Sequence, residues 1–97
     1  MKVVVAPEKY DPSPNDIKVF LAGGITGCED WQSEVLKELD MLVCSIPFVE
    51  RKLVVMNPRR ENFPIDDPNA AVEQISWEFK MLEMCDVFSM YFSDKQP

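Results

Sequence analysis

Residues Ile17 to Ile25, IKVFLAGGI, restrict what this chain can fold into more than any other stretch. A run of bulky and β-branched residues meets two successive glycines, the pattern of a buried parallel strand that ends in a tight turn. Such a strand belongs to an α/β domain, which binds its ligands beyond the carboxyl ends of its strands. The pair Gly23-Gly24 lets a ligand approach the backbone closely. It fits a purely structural turn at least as well, being neither GxGxxG nor a phosphate-binding loop with Lys and Ser/Thr.

The remaining elements follow in order. Residues 1–16 hold a short strand, Lys2 to Ala6, and a loop rich in Pro, Asp, Ser and Asn, and read as an appendage or an edge strand; residues 17–97 form the domain proper. After the glycines, Trp31, Val35, Leu39 and Leu42 mark the apolar face of a helix that Asp30 caps and that ends before Pro47. On this reading Gln32, Glu34, Lys37 and Glu38 point to water. Lys52 to Met56 is a second core strand, stopped by Asn57-Pro58. Arg59 to Asp67 is a loop on the side of the Gly-Gly turn. Asp67 and Pro68 then read as N-cap and first residue of a helix running to about Met84, with Val72, Ile75, Phe79 and Leu82 as its buried stripe. Trp77 falls on the opposite side, beside Glu73 and Lys80, which suggests a packing partner such as another subunit. Asp86 opens a last strand, Val87 to Phe92. The alternation of strands and helices predicts a parallel sheet covered on its faces by helices.

Composition narrows the function. The chain has 97 residues, 46% apolar and 28% charged, which suits one small globular domain. Seventeen acidic against ten basic residues give a net charge of −7, which argues against binding a nucleic acid polymer. No apolar run approaches the roughly 18 to 20 residues of a membrane span, and the opening residues lack the apolar centre of a secretion signal. A cytoplasmic protein with free thiols at Cys28, Cys44 and Cys85 is expected. There is no histidine. A His-based triad and a histidine-ligated zinc site are thereby excluded, and the chemistry is left to carboxylates, hydroxyls, thiols and backbone amides, with no metal or redox cofactor expected.

Among polar candidates, Asn57-Pro58-Arg59-Arg60 either supplies an amide and a cation to a polar ligand or is a solvated turn. Glu78 lies at the border of the Val72–Leu82 stripe, one turn after Gln74. It is half-directed at the core, as a general acid requires, although surface glutamates are commoner. Ser89, Tyr91 and Ser93 are further polar groups near the last strand's end, none distinctive.

In sequence order, FLAGGI, Trp31 in the next helix, VVMNPRR, EQISWEF and MCDVFSMYF resemble the nucleoside 2-deoxyribosyltransferase-like family, over roughly Lys18 to Phe92. The branch with an NPR turn and a Gln-x-x-Trp-Glu helix is the most similar. The resemblance implies a flavodoxin-like three-layer sandwich with a mainly parallel sheet, of which the chain is the N-terminal β-α-β-α-β portion. It also implies cleavage of the N-glycosidic bond of a 2-deoxynucleoside or nucleotide by a homo-oligomer without cofactors, the sugar passing to another base or to water. Gly23, Gly24 and Ile25 would line the pocket with backbone amides and one apolar contact. Asn57, Pro58 and Arg59 would shape the neighbouring wall, with Gln74 and Asp86 in the same binding set. Glu78 would contact the nucleobase and help to protonate it as it leaves. A second carboxylate must stabilise the oxocarbenium-like sugar. The family's nucleophile, a glutamate in the loop after the third core strand, has no counterpart here; Asp94 lies too close to the strand. The expectation is a domain incomplete at its C-terminus. The alternatives are a nucleotide N-hydrolase and a non-catalytic nucleotide-binding or interaction module of the same fold.

Overall fold

Four strands run parallel in one sheet in the computed structural model, which describes residues 1–25, 29–60 and 66–91. Their spatial order is β1 (Lys2–Val5), β3 (Leu53–Asn57), β2 (Ile17–Gly23) and β4 (Val87–Tyr91). Helices α1 (Trp31–Val43) and α2 (Pro47–Glu50) lie between β2 and β3, and α3 (Pro68–Met84) lies between β3 and β4. This is a flavodoxin-like α/β layout. The N-terminal segment contributes an edge strand, in register with β3 from Lys2 opposite Val54 to Val5 opposite Asn57.

Alternation along the central strands builds two cores. Leu53 and Val55 of β3 and Leu21 of β2 pack with Trp31 and Val43 of α1. Val54 and Met56 of β3 and Phe20 of β2 pack on the other side, with Trp77 and Met81 of α3 and with Tyr10 from the N-terminal loop. All five residues of β3 are buried, as a strand covered on both faces requires.

The helix caps are where local sequence puts them. The Asp30 carboxylate accepts from the Ser33 N–H at 3.2 Å, and the Asp67 carboxylate accepts from the Asn69 N–H at 2.9 Å, with Pro68 opening α3. Helix α3, however, turns a different face inward from the one that periodicity selects, whereas α1 keeps its expected face except at Leu42. The buried line of α3 is Ala70, Gln74, Trp77 and Met81. Val72, Ile75, Phe79 and Leu82 are exposed, Phe79 at 66% against 6% for Trp77. Trp77 packs on Phe20 with ring centroids 6.2 Å apart, and its indole N–H donates to the Glu8 carbonyl at 2.7 Å. Trp77 is therefore core, and the suggestion that it meets another subunit is withdrawn. The physical reason is that α3 carries two apolar lines, and the larger ring fills the space over the sheet. In α1 the inward line is Trp31, Val35, Leu39 and Val43, while Leu42 is exposed. Gln32, expected in water, is fully buried.

Cys44 and Cys85 are free thiols, and Cys28 lies outside the described residues. No described helix is long and apolar enough to cross a membrane. Truncating Trp77 to Ala should lower the unfolding free energy by about 3–5 kcal/mol, whereas Phe79→Ala should change it by no more than about 0.5 kcal/mol. Urea denaturation checks this; the reverse order of effects would mean that α3 packs through its other face.

Candidate functional site

The direction in which the chain winds through the sheet reverses at β2. The chain leaves β2 through α1 to reach β3 on one flank, then returns through α3, on the opposite face, to β4 on the other flank. In open α/β sheets ligands bind at such a reversal, which here falls at the carboxyl ends of β2 and β4, where Gly23 and Tyr91 are paired. Gly23 has φ 152°, a region confined in practice to glycine, so the chain leaves the strand at a position where a Cβ would strain it. Gly24 and Ile25 follow, both half-buried.

Behind those residues sits a dense set of polar contacts. The Trp31 indole N–H donates to the Gly24 carbonyl at 2.9 Å, and the Gln32 amide lies 3.4 Å from the same oxygen. Arg59 Nε donates to Gln32 Oε1 at 2.8 Å. Arg59 Nη2 donates to the carbonyls of Ile25 at 3.0 Å and Glu29 at 2.9 Å. Asp30 adds an ion pair to Arg59 at 3.6 Å. The turn that carries the arginine is fixed in its own right, because Asn57 Oδ1 accepts from the Arg59 N–H at 3.0 Å. The next residue faces the other way. Arg60 Nε donates to Gln74 Oε1 at 2.9 Å and Arg60 Nη2 to Glu73 at 2.7 Å, while the Gln74 amide donates to the Pro58 carbonyl at 2.8 Å.

The family model described as nucleoside 2-deoxyribosyltransferase like matches residues 16–97. The chain belongs to that family. No curated protein matches it. Membership in the nucleoside 2-deoxyribosyltransferase-like family supports a general role in glycosyl transfer.

In this family member the structure gathers six of the nine residues singled out from sequence at one end of the sheet. Gly23, Gly24 and Ile25 follow the end of β2, and Asn57, Pro58 and Arg59 follow the end of β3 beside them, Arg59 bonded to the Ile25 carbonyl. Gln74 reaches them through Pro58 and Arg60. Glu78 is half-buried, one helical turn below Gln74 and farther from the carboxyl edge. Asp86 is a correction: it lies at the opposite, amino edge of the sheet. There its carboxylate accepts from the Lys18 backbone N–H at 2.8 Å and pairs with the Lys18 ammonium at 3.3 Å. A residue that opens a parallel strand is necessarily a strand's length from the end where ligands bind. Ser89 is exposed in mid-strand opposite Leu21. The Tyr91 side chain, Ser93 and Asp94 lie outside the described residues.

On the β1 side of the turn is an open hollow of about 430 Å³, lined by Val5, Asp30, Ser33, Asn57, Arg59 and Arg60. Two residues essential to the arrangement, Trp31 and Gln32, had no functional reading from sequence. The only available signal was their place in the first turn of the helix that follows the Gly-Gly loop.

Asp30 ties this region to α1. Its carboxyl is held below the usual carboxylate range, first by the Ser33 hydroxyl at 2.7 Å, then by the Ser33 N–H and by Arg59. A depressed folded-state pKa means that the stability it contributes is present above the unfolded value of about 3.9 and is lost as pH falls through the lower folded value. Asp30→Ala should cost about 1 kcal/mol at neutral pH through loss of the cap. Asp30→Asn keeps an acceptor and should lose less stability than the parent between pH 5 and pH 3 in urea unfolding, although Asp16 and Asp86, also held low, remain acid-sensitive. Identical acid dependence in parent and variant would show that the Asp30 contacts do not form.

Proposed function

We propose that this protein cleaves the N-glycosidic bond of 2-deoxynucleosides, or of their nucleotides, and passes the deoxyribosyl group to a second base. What carries the reading is the coincidence of the family match with a glycine turn at the point where the strand order reverses. Backbone at Gly23–Ile25 forms one wall, and Asn57, Pro58 and Gln74 stiffen it from behind.

Glu78 is the carboxyl that protonates the departing base. Cleavage leaves negative charge on the base nitrogen, and a proton delivered there lowers the barrier, while a second carboxylate, a role that no residue from 1 to 97 is assigned, stabilises the oxocarbenium-like sugar and takes it up as a glycosyl ester. Resolution of that ester by a second base gives a new nucleoside, and resolution by water gives free sugar. The reaction calls on carboxylates alone and on no cofactor. The working form is a homo-oligomer, as the resemblance to the family implies.

The test is to incubate the protein with 2-deoxynucleosides and their 5′-phosphates, with and without a second free base, and to follow the products by chromatography. Release of base, formation of a new nucleoside only when the second base is present, and a loss of about 10²–10⁴ in rate for Glu78→Gln are expected. Base release that is indifferent to added base would make the protein an N-hydrolase. No release from any substrate, with unchanged nucleotide binding by Glu78→Gln, would overturn the enzymatic reading.

A further inference from the structure

Arg59 invites assignment as a phosphate or substrate contact, because it is a cation on the turn beside the Gly23–Ile25 loop. Its surroundings speak for another role. Its side chain is only 19% exposed, and its donors are directed at Gln32, at two backbone carbonyls and at Asp30. Gln32 has 0% exposure and spends its amide on the same two neighbours: its oxygen receives Arg59, and its nitrogen faces the Gly24 carbonyl. Arg59, Gln32 and Trp31 thus act on the backbone of the loop and on one another.

The consequence follows from peptide geometry. In a trans peptide the C=O of one residue and the N–H of the next point in opposite directions. The sole cis peptide bond among the described residues is Ala6–Pro7, so the Gly24–Ile25 peptide is trans. With the Gly24 carbonyl drawn back towards Trp31 and Gln32, the N–H of Ile25 is turned the other way. We propose that Arg59 is a positioning residue. With Gln32 and Trp31 it holds the Gly24 and Ile25 carbonyls on the inner side of the loop, presents the Ile25 amide on the outer side, and does not itself touch substrate.

The donor so presented is neutral, and it suits a neutral acceptor such as a nucleobase carbonyl or ring nitrogen or a sugar oxygen. Arg60 secures the base of this arrangement from the opposite face through Gln74 and Glu73, and Asn57 secures it within the turn. A lysine cannot replace Arg59, since one ammonium does not reproduce a planar fork that serves a side-chain amide and two carbonyls together.

This inference rests on the proposed nucleoside chemistry only for its binding readout, and the experiment separates the two. Gln32→Met and Arg59→Lys are prepared in the full chain. The ¹⁵N order parameter of the Ile25 amide is measured by NMR relaxation, with Val55 of β3 as the internal reference. Calorimetry measures the affinity for a 2-deoxynucleoside and for its 5′-monophosphate. Each variant should lower the Ile25 order parameter from the rigid range of about 0.85 to below about 0.6 with Val55 unchanged, and should weaken both ligands by the same factor, about threefold to tenfold for a lost hydrogen bond. An unchanged order parameter at Ile25 overturns the proposal whether or not any ligand binds. So does a selective loss of the 5′-monophosphate in Arg59→Lys, which would make Arg59 a phosphate ligand. If neither ligand binds the parent protein, the proposed function fails while a lowered Ile25 order parameter still supports the clasp. If Gln32→Met does not fold, Arg59→Lys carries the same relaxation test, because its side chain lies at the edge of the buried network.

Discussion

Burial of β3 on both faces is the constraint from which the rest of the structure follows. A strand with no exposed side can sit only between neighbours and beneath helices, and its alternating residues must feed two separate cores. Leu53 and Val55 serve one, Val54 and Met56 the other. The two helical layers are held in fixed relation because a single five-residue strand packs against both. The same alternation continues past the strand's end, where Arg59 reaches the α1 layer and Arg60 the α3 layer. The polar clasp at the carboxyl edge is therefore a continuation of the apolar core's geometry into a region with hydrogen bonds in place of methyl groups.

Elements whose causes are local were legible in the sequence. Asp30 and Asp67 cap their helices through bonds to residues two and three positions away, Pro68 needs no partner N–H, and Asn57-Pro58 stops a strand by its own stereochemistry. The inward face of α3 was not legible, because periodicity reports an apolar line without saying which of two lines meets the sheet. Trp77 wins that competition through Phe20, far away in the chain, and through the Glu8 carbonyl. Helix α2, four residues long, is too short to show any period. Gln32 is the sharpest case. Its burial depends on an arginine 27 residues away, so nothing in its own neighbourhood announces it.

For the candidate site, sequence order singled out glycines and a turn that the fold places at one end of the sheet, but it carried no sense of which end of a strand a residue occupies. Asp86 lies away from that end for this reason. It follows α3 directly and opens β4, and is thereby at the amino edge, bound to Lys18. Gly23 to Ile25 and Asn57 to Arg59 all lie at or just after the carboxyl ends of β2 and β3. Their convergence is a property of parallel strands, which bring their exits to one edge of the sheet.

The alternation at Arg59 and Arg60 also limits how this chain can change over time. Arg59 and Arg60 face opposite layers, so adding or removing one residue between Met56 and Arg59 would send each guanidinium to the wrong layer. Gln32 and Gln74 would both be left buried without their partner, a cost of about 1–3 kcal/mol for each. Substitution within the turn can be gradual, but a change of length cannot. The spacing between β3 and its two arginines should therefore drift far less than the surface of α3, where the chain's own packing places no such demand.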